Sequence, residues 1–268
     1  MRILTLLFAF SFFAACSVTP ENNTHYAFKY VENDILKPGS TVIIASANLG
    51  VPSRKYLEKY EPRIDSLLRG YLEANGYKVI SSRLFEDPYK NAINTYGSPY
   101  DQFTGKQNNK QLMNVLASTF ESLKQKTDAD AVIFTDLLER QVMVARSSSK
   151  RFVKYDGVYR LVKSQGTSQS VSTEFNWGEP LNGASLSINI FTLSDGKRVF
   201  NNIGGLDVTE AIDTRKDTFA RYKNMFKEED HLMEGVKLSM HPVMNRAYTL
   251  KTKCINTKKA AKAAFFYA

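Results

Sequence analysis

The chain has 268 residues, of which 43% are apolar and 24% are charged, and its formal net charge is +9. This length and apolar content are enough for one large domain with its own hydrophobic core. Beyond the N-terminus no stretch reaches the roughly 18 apolar residues that a membrane-spanning helix needs, which excludes a protein with several membrane spans. We expect the positive charge to lie on a solvated surface and expect no nucleic-acid partner.

An apolar run at the N-terminus predicts export. Arg2 supplies a short positive region, the run Leu4–Ala15 is almost entirely apolar, and small residues directly precede Cys16. This end resembles the signal of bacterial lipoproteins, in which the cysteine is acylated and becomes the first residue. It departs from that pattern at Phe13, where leucine is usual. The alternative is an ordinary signal peptidase that cuts after Cys16 or Ser17 and removes the cysteine.

The resemblance implies a lipid anchor on Cys16, and several acyl chains would hold a protein firmly to a bilayer. Because Ser17 rather than aspartate follows the cysteine, the resemblance also implies the outer membrane, with the protein facing the periplasm. We therefore expect a signal peptide at 1–15, a lipidated tether at 16–39, an α/β domain at 40–250 and a basic tail at 251–268. Cys254 is the only other cysteine, so a lipidated Cys16 leaves no intramolecular disulfide.

From Ser40 onward, strand and helix patterns alternate. Short apolar runs predict strands, and apolar residues at spacings of three and four predict helices. In chain order these are a strand at Thr41–Ala45, a helix through Leu57–Leu72, a strand at Tyr77–Ser81, a helix at Asn109–Lys126 and a strand at Ala131–Phe134. The order β-α-β-α-β predicts parallel neighbouring strands joined by right-handed crossovers.

After Asp136 the pattern changes to antiparallel hairpins. Leu186, Ile188 and Ile190 alternate with polar residues, and the turn Ser194–Lys197 returns the chain into another strand. A last helix is predicted over Glu228–Tyr248, with Pro242 expected to kink or break it. The predicted fold class is α/β, with a mixed sheet that opens β-α-β-α-β, followed by antiparallel hairpins and a C-terminal helix.

Two segments carry a family resemblance. The segment Thr127–Ile133, which reads TDADAVI, and the dipeptide Asp195-Gly196 in a late hairpin are similar to parts of the small α/β domain of the TolB N-terminal region and the curli-secretion lipoproteins. The resemblance covers about Ser40 to Gly205 and rests on the arrangement of elements. It implies a non-catalytic envelope component that binds other proteins.

Motifs for catalysis, metals and nucleotides are not found in the sequence. Of three histidines, His25 falls in the predicted tether, and His231 and His241 lack the i, i+4 spacing of a helical metal site. The pattern S-x-x-K from Ser147 to Lys150 lies in a predicted hairpin turn, not at the helix start that serine acyltransferases require. No glycine-rich phosphate loop is present. We therefore predict no catalytic residue, no metal, no nucleotide and no cofactor.

The segment Phe85–Asn108 is predicted to be a long loop and is the candidate binding surface. It places Tyr89, Tyr96, Tyr100 and Phe103 among aspartate and asparagine residues. Tyrosine offers a flat apolar area and a hydroxyl at a low entropic cost, which suits recognition. The loop is expected at the carboxyl ends of the parallel strands, where α/β sheets bind ligands. The alternative is that these rings fold back over a sheet edge.

Three functions remain open at this stage. The first is a non-enzymatic, membrane-anchored periplasmic protein that binds a protein partner in envelope or surface-structure assembly. The second is a cell-wall or glycan-binding module, in which rings of the same segment stack in a groove lined by Asp87, Asn94 or Asp101. The third is an exported hydrolase built around a serine, an aspartate and either His231 or His241.

Overall fold

The computed structural model describes residues 36–45, 55–101, 103–104, 106–146, 150–166 and 171–244. The helices in these ranges are α1 (Lys55–Glu58), α2 (Glu61–Ala74), α3 (Arg83–Tyr96), α4 (Asn109–Lys126) and α5 (Glu229–Ser239). The strands are β1 (Thr41–Ala45), β2 (Lys78–Ile80), β3 (Ala131–Val142), β4 (Ala145–Arg146), β5 (Arg151–Tyr155), β6 (Val158–Leu161), β7 (Ser164–Gln165), β8 (Leu181–Thr192), β9 (Arg198–Val208), β10 (Glu210–Asp213) and β11 (Thr218–Arg221). Cys16, the turn residues 147–149 and the basic tail lie outside the described residues.

A five-stranded mixed sheet is the centre of the fold, with strand order β2-β1-β3-β8-β9. β1 pairs in parallel with β2 and β3, whereas β8 pairs antiparallel with both β3 and β9. The register between β3 and β8 runs unbroken from Ala131↔Thr192 to Val142↔Leu181. The predicted α/β class with its mixed sheet is confirmed, and β3 continues well past the predicted end at Phe134.

The aspartate of the TDADAVI segment fixes the start of the parallel strands. Asp130 accepts a hydrogen bond from the Thr41 backbone N–H at 2.8 Å, and its own backbone N–H donates to the Thr41 carbonyl. The Asp130 carbonyl also accepts from the Leu193 backbone N–H. One residue therefore connects the ends of β1, β3 and β8.

One face of the sheet is covered by α2 and α5. Ile44, Leu68, Leu186 and Val236 belong to the same buried cluster on this face. Pro62 lies in the first turn of α2, where a missing N–H costs nothing, so the proline delays the helix start and does not kink it. The opposite end of α2 stops before Gly76, which has a φ of 85°.

The other face of the sheet has two covers. α3 and α4 pack over the parallel half, through a cluster that includes Ile43, Phe85, Phe120 and Phe134. The hairpin of β5 and β6 covers the extended half of β3, β8 and β9, and Tyr155 belongs to the cluster on that half. Two smaller three-stranded sheets, β4-β5-β6 and β11-β10-β7, complete the described fold.

The first half of the segment predicted as a loop over Phe85–Asn108 is helical, and the prediction was wrong for that half. α3 occupies Arg83–Tyr96 with Pro88 inside it, and only residues 97–108 form a connection. The apolar spacing Phe85, Tyr89 and Ala92 is helical and outweighs the proline, because the helix packs this face against the sheet.

The predicted C-terminal helix is confirmed but is shorter than expected. α5 ends at Ser239, and the peptide bond between His241 and Pro242 is cis. Among the described residues no helix has both the length and the apolar character to cross a bilayer.

Both ends of the described chain lie together. Leu36, Pro38, Tyr77, Val243 and Met244 line one open groove of about 530 Å³. Leu36 is fixed there, since its carbonyl accepts a hydrogen bond from the Tyr77 hydroxyl at 3.0 Å. The predicted tether therefore joins the fold at the side of the sheet where β1 begins.

Candidate functional site

α3 turns one of the predicted site tyrosines inward. Tyr89 stacks on Phe85 with ring centroids 5.2 Å apart, and Phe85 makes an edge contact with Phe134 of β3. Burial raises the pKa of the Tyr89 hydroxyl. Tyr89 is thus part of the cover on the sheet, as the alternative interpretation expected for such rings.

The connection between α3 and α4 is held at both ends. The Gln111 side chain donates to the Tyr96 carbonyl at 2.6 Å, which joins the end of α3 to the first turn of α4. Asn108 caps α4 by accepting from the Gln111 backbone N–H. An isolated antiparallel bridge pairs Tyr100 with Gln107. The connection is therefore a closed, hydrogen-bonded hairpin-like loop.

Asp101 shapes the tip of this loop. Its carboxylate accepts from the backbone N–H groups of Phe103 and Thr104 and from the Thr104 hydroxyl, at 2.7–3.0 Å. The Thr104 backbone bond, the Thr104 hydroxyl bond and then the Phe103 backbone bond hold the pKa of Asp101 below its usual value. All three bonds are accepted by one carboxylate oxygen, Oδ1, so Asp101 holds the turn while its side chain is exposed.

Tyr100 points toward the sheet. Its hydroxyl oxygen is buried and has no hydrogen-bond partner among the described residues. Burial, and then the nearby Tyr89 and Asp136 side chains, raise the pKa of Tyr100 well above its ordinary value. The structure therefore brings Tyr89 and Tyr100 together, close to Asp136 of β3, a residue that the sequence analysis did not assign to the site.

Tyr96 and Phe103 face solvent. The side chain of Tyr96 is 46% exposed and that of Phe103 is 93% exposed, and Met113 of α4 is also exposed. We call the exposed end of α3, the loop tip and the first turns of α4 the Tyr96–Phe103 surface. Of the four predicted binding residues, two form this surface and two lie beneath it.

A buried ionic network lies elsewhere, between β6, β9 and α5. Arg160 is 3% exposed and donates to Glu234 at 2.7 Å, to the Leu206 carbonyl at 2.7 Å and to the His231 carbonyl at 3.2 Å. Asp207 is fully buried and lies 3.4 Å from the Lys163 ammonium. Sequence reasoning missed this network because its members are up to 74 positions apart and share no motif.

His231 contacts members of this network. Its Nε2 lies 3.1 Å from a Glu228 oxygen and its Nδ1 lies 3.6 Å from an Asp207 oxygen. No serine in the described part of the chain hydrogen-bonds to His231. His241 contributes its carbonyl, which accepts from Asn202 at 2.7 Å. The arrangement supports a structural role for both residues.

An acidic crevice of about 330 Å³ lies beside the end of β1. Glu58, Glu61, Asp65 and Arg69 are among its lining residues. Asp65 accepts from the Thr135 hydroxyl at 2.8 Å, and Arg69 donates to the Val79 carbonyl. No group of three or more metal-ligating side chains with suitable geometry occurs within the described ranges.

Comparisons with known proteins give only distant similarities. No family model and no curated protein matches the chain. Among solved structures, a PelC dodecamer from Paraburkholderia phytofirmans is 11% identical with a TM-score of 0.34, covering 82% of this chain and 99% of that one. A neuraminyllactose-binding hemagglutinin homolog from Helicobacter pylori is 10% identical with a TM-score of 0.34, covering 85% of this chain and 96% of that one.

A third similar structure is the lipoprotein GNA1162 from Neisseria meningitidis. It is 11% identical with a TM-score of 0.29, covering 62% of this chain and 81% of that one. Similarity at this level carries no argument about the function of the present chain.

Proposed function

We propose that this chain is a lipid-anchored protein of the bacterial cell envelope that binds a protein partner through the Tyr96–Phe103 surface and has no catalytic activity. The observation that carries the proposal is Phe103, a large apolar side chain that is 93% exposed at the tip of an ordered turn. Exposing such a ring to water is unfavourable, and burial of an aromatic anchor in a partner's pocket would recover that free energy.

The order of the turn supports a binding role. Three hydrogen bonds to Asp101 hold the backbone beside Phe103, and the Gln111 side chain holds the carbonyl of Tyr96. A partner that binds this surface would therefore lose little conformational entropy in ordering it. This is the arrangement expected of a pre-organised protein contact.

The place of the anchor supports the same proposal. The tether predicted to start at Cys16 joins the fold at Leu36, beside Tyr77 and the end of the described chain at Met244. The Tyr96–Phe103 surface belongs to the helices on the other face of the sheet, so an anchored protein would leave it accessible. Localisation at the outer membrane facing the periplasm is part of the proposal and rests on the Ser17 signal.

Site-specific photo-crosslinking in intact cells tests the proposal. A photo-reactive phenylalanine analogue replaces Phe103 in one strain and, as a matched control, the exposed Tyr159 in another. We expect a discrete protein adduct at position 103 that is absent at position 159. We also expect Tyr96→Ala to reduce the yield of that adduct.

Two results would overturn the proposal. One is the absence of any protein adduct specific to position 103. The other is pull-down by purified peptidoglycan that the double variant Tyr96→Ala/Phe103→Ala abolishes, because this result would assign the surface to a glycan instead of a protein.

A further inference from the structure

The β4-β5-β6 sheet has one buried and one exposed face. Val153↔Arg160 and Tyr155↔Val158 are cross-strand pairs, and all four side chains are buried. Because side chains alternate along a strand, Phe152, Lys154, Tyr159 and Leu161 share the opposite face. We call this second set the outer sheet face.

The outer sheet face is apolar and aromatic at its centre. Tyr159 is 47% exposed and Leu161 is 45% exposed. Phe152 stacks on Tyr159 with ring centroids 4.4 Å apart, which builds a flat aromatic platform. Clustered exposure of this kind is typical of an interaction site.

Positive charge lies beside the platform. From Met143 to Val162 the chain has five cations and one acid, Asp156. Of the cations, Arg160 is buried and Arg151 stacks on the Trp177 ring. The acid points inward, where it accepts from Arg140 at 2.8 Å and from the Ser185 hydroxyl at 2.6 Å. Arg146, Lys150 and Lys154 are exposed, and no acidic side chain among the described residues pairs with them.

We propose that the outer sheet face docks on the surface of an anionic lipid bilayer. The flat aromatic and aliphatic side chains would enter the interface between headgroups and acyl chains, and lysine and arginine would contact lipid phosphates. This combination of apolar platform and unpaired cations is complementary to negatively charged lipid. It differs from the Tyr96–Phe103 surface, where the ordered acid Asp101 lies beside the exposed ring.

The tether permits this docking. β3 has 12 residues and is about 40 Å long, so it separates the tether's entry beside β1 from the outer sheet face by roughly that distance. The 20 residues from Cys16 to Leu36 could span at most about 70 Å. An anchored chain can therefore lay this face on the same membrane that holds its lipid.

Vesicle flotation tests the inference without the anchor. The chain from residue 16 onward, carrying Cys16→Ser, is mixed with vesicles that contain phosphatidylglycerol or with vesicles of phosphatidylcholine alone. We expect flotation only with the anionic vesicles, and we expect it to weaken as salt is added. The double variant Lys154→Glu/Tyr159→Ser should lower the partition constant by about tenfold or more.

Controls make the result specific to this face. Lys216→Glu changes the net charge of an exposed turn elsewhere and should lower the partition constant much less than the double variant. All variants keep the basic tail, so a difference between them reports the sheet face. Circular dichroism before flotation verifies that the double variant is folded, and Leu161→Ser provides a second variant of the same face if it is not.

Either of two results would overturn the inference. One is equal flotation of the parent chain and the folded variants. The other is a variant that changes the sedimentation coefficient of the free chain and leaves flotation unchanged, since this would assign the face to a second copy of the chain. Neither result bears on whether Cys16 carries lipid, because the tested chain lacks the acyl group.

Discussion

At the scale of single residues, two buried tyrosines differ in whether the hydroxyl has a partner. The Tyr155 hydroxyl donates to the Ala184 carbonyl at 3.3 Å, whereas the Tyr100 hydroxyl has no partner among the described residues. Burial is the main cause of the raised pKa of both groups. The two residues therefore form a matched pair for testing what a hydroxyl contributes.

We expect Tyr155→Phe to lower the free energy of unfolding by about 1 kcal/mol, because a made hydrogen bond is lost. We expect Tyr100→Phe to leave it unchanged within about 0.5 kcal/mol or to raise it, because the removed hydroxyl is buried and unpaired. Urea unfolding of both variants measures this difference. An equal loss for the two variants would show that Tyr100 has a partner in solution.

The binding residues could be predicted from the sequence only in part. The types and spacing of Tyr96 and Phe103 identified an aromatic segment, but no single-sequence signal separates a ring that faces solvent from one that packs inward. Tyr89 and Tyr100 point inward because α3 and the loop close over β3. That packing includes the edge contact of Phe85 with Phe134 of β3, and these two residues are 49 positions apart in the chain.

At the scale of elements, α5 packs directly on β9 through two glycines. A Cβ on Gly204 would lie 2.2 Å from the Gly235 carbonyl oxygen, and a Cβ on Gly235 would lie 2.6 Å from the Gly205 carbonyl oxygen. Backbone therefore touches backbone at this point, and any side chain would push the helix away from the sheet.

We expect Gly204→Ala to lower the free energy of unfolding by about 2–4 kcal/mol, since the helix must shift to admit the methyl group. Gly70 in α2 is the control, because a Cβ there meets nothing within 4 Å. Gly70→Ala should raise the free energy of unfolding by about 0.5–1 kcal/mol through helix propensity. A Gly204→Ala protein as stable as the parent would contradict this packing.

Helices and strands were predicted correctly where the apolar spacing agreed with the residues that start and end such elements. The strand Thr41–Ala45 and the helix Asn109–Lys126 were predicted and are found. Prediction failed over α3, where a long segment with aromatic residues among aspartate and asparagine residues indicated a loop. The helical spacing from Phe85 to Tyr96 was present in the sequence. The helix is stabilised by burial against β3, a strand far along the chain, and the local sequence does not show this contact.

At the scale of the whole molecule, several carboxylates have a lowered pKa in the folded state. The Thr192 hydroxyl and then Lys197 lower the pKa of Asp195 to about 2. Arg215 lowers the pKa of Asp213, and a hydrogen bond from Lys163 lowers the pKa of Glu228. A carboxylate of this kind adds stability above its unfolded pKa of about 4, and this stability is lost as the pH falls through the folded pKa.

We therefore expect the melting temperature to be nearly constant between about pH 5 and about pH 9 and to fall continuously as the pH is lowered toward about 2. Asp195→Asn should lower the melting temperature near neutral pH and make the acid limb less steep. The effect of Asp195 alone should be small, because its side chain is 44% exposed and solvent screens the charge. A melting temperature that rises on acidification would contradict the assignment of these ion pairs.

In our proposal a lipid anchor on Cys16 is joined to a folded body with two exposed surfaces. The α/β class of the body was predicted from local sequence patterns and is confirmed, and the anchor stays a prediction from the N-terminal sequence. It did not predict the outer sheet face or the network around Arg160, because each is assembled by strand register and by packing between distant segments.

Mass spectrometry of the mature N-terminus tests the central claim most directly. The chain is purified from membranes after expression in a bacterial host. Lipid anchoring predicts that the first residue is Cys16 and that its mass includes acyl chains, and that Cys16→Ser abolishes this form. An unmodified N-terminus at Ser17 or later would contradict the claim, and with it the placement of the Tyr96–Phe103 surface at a membrane.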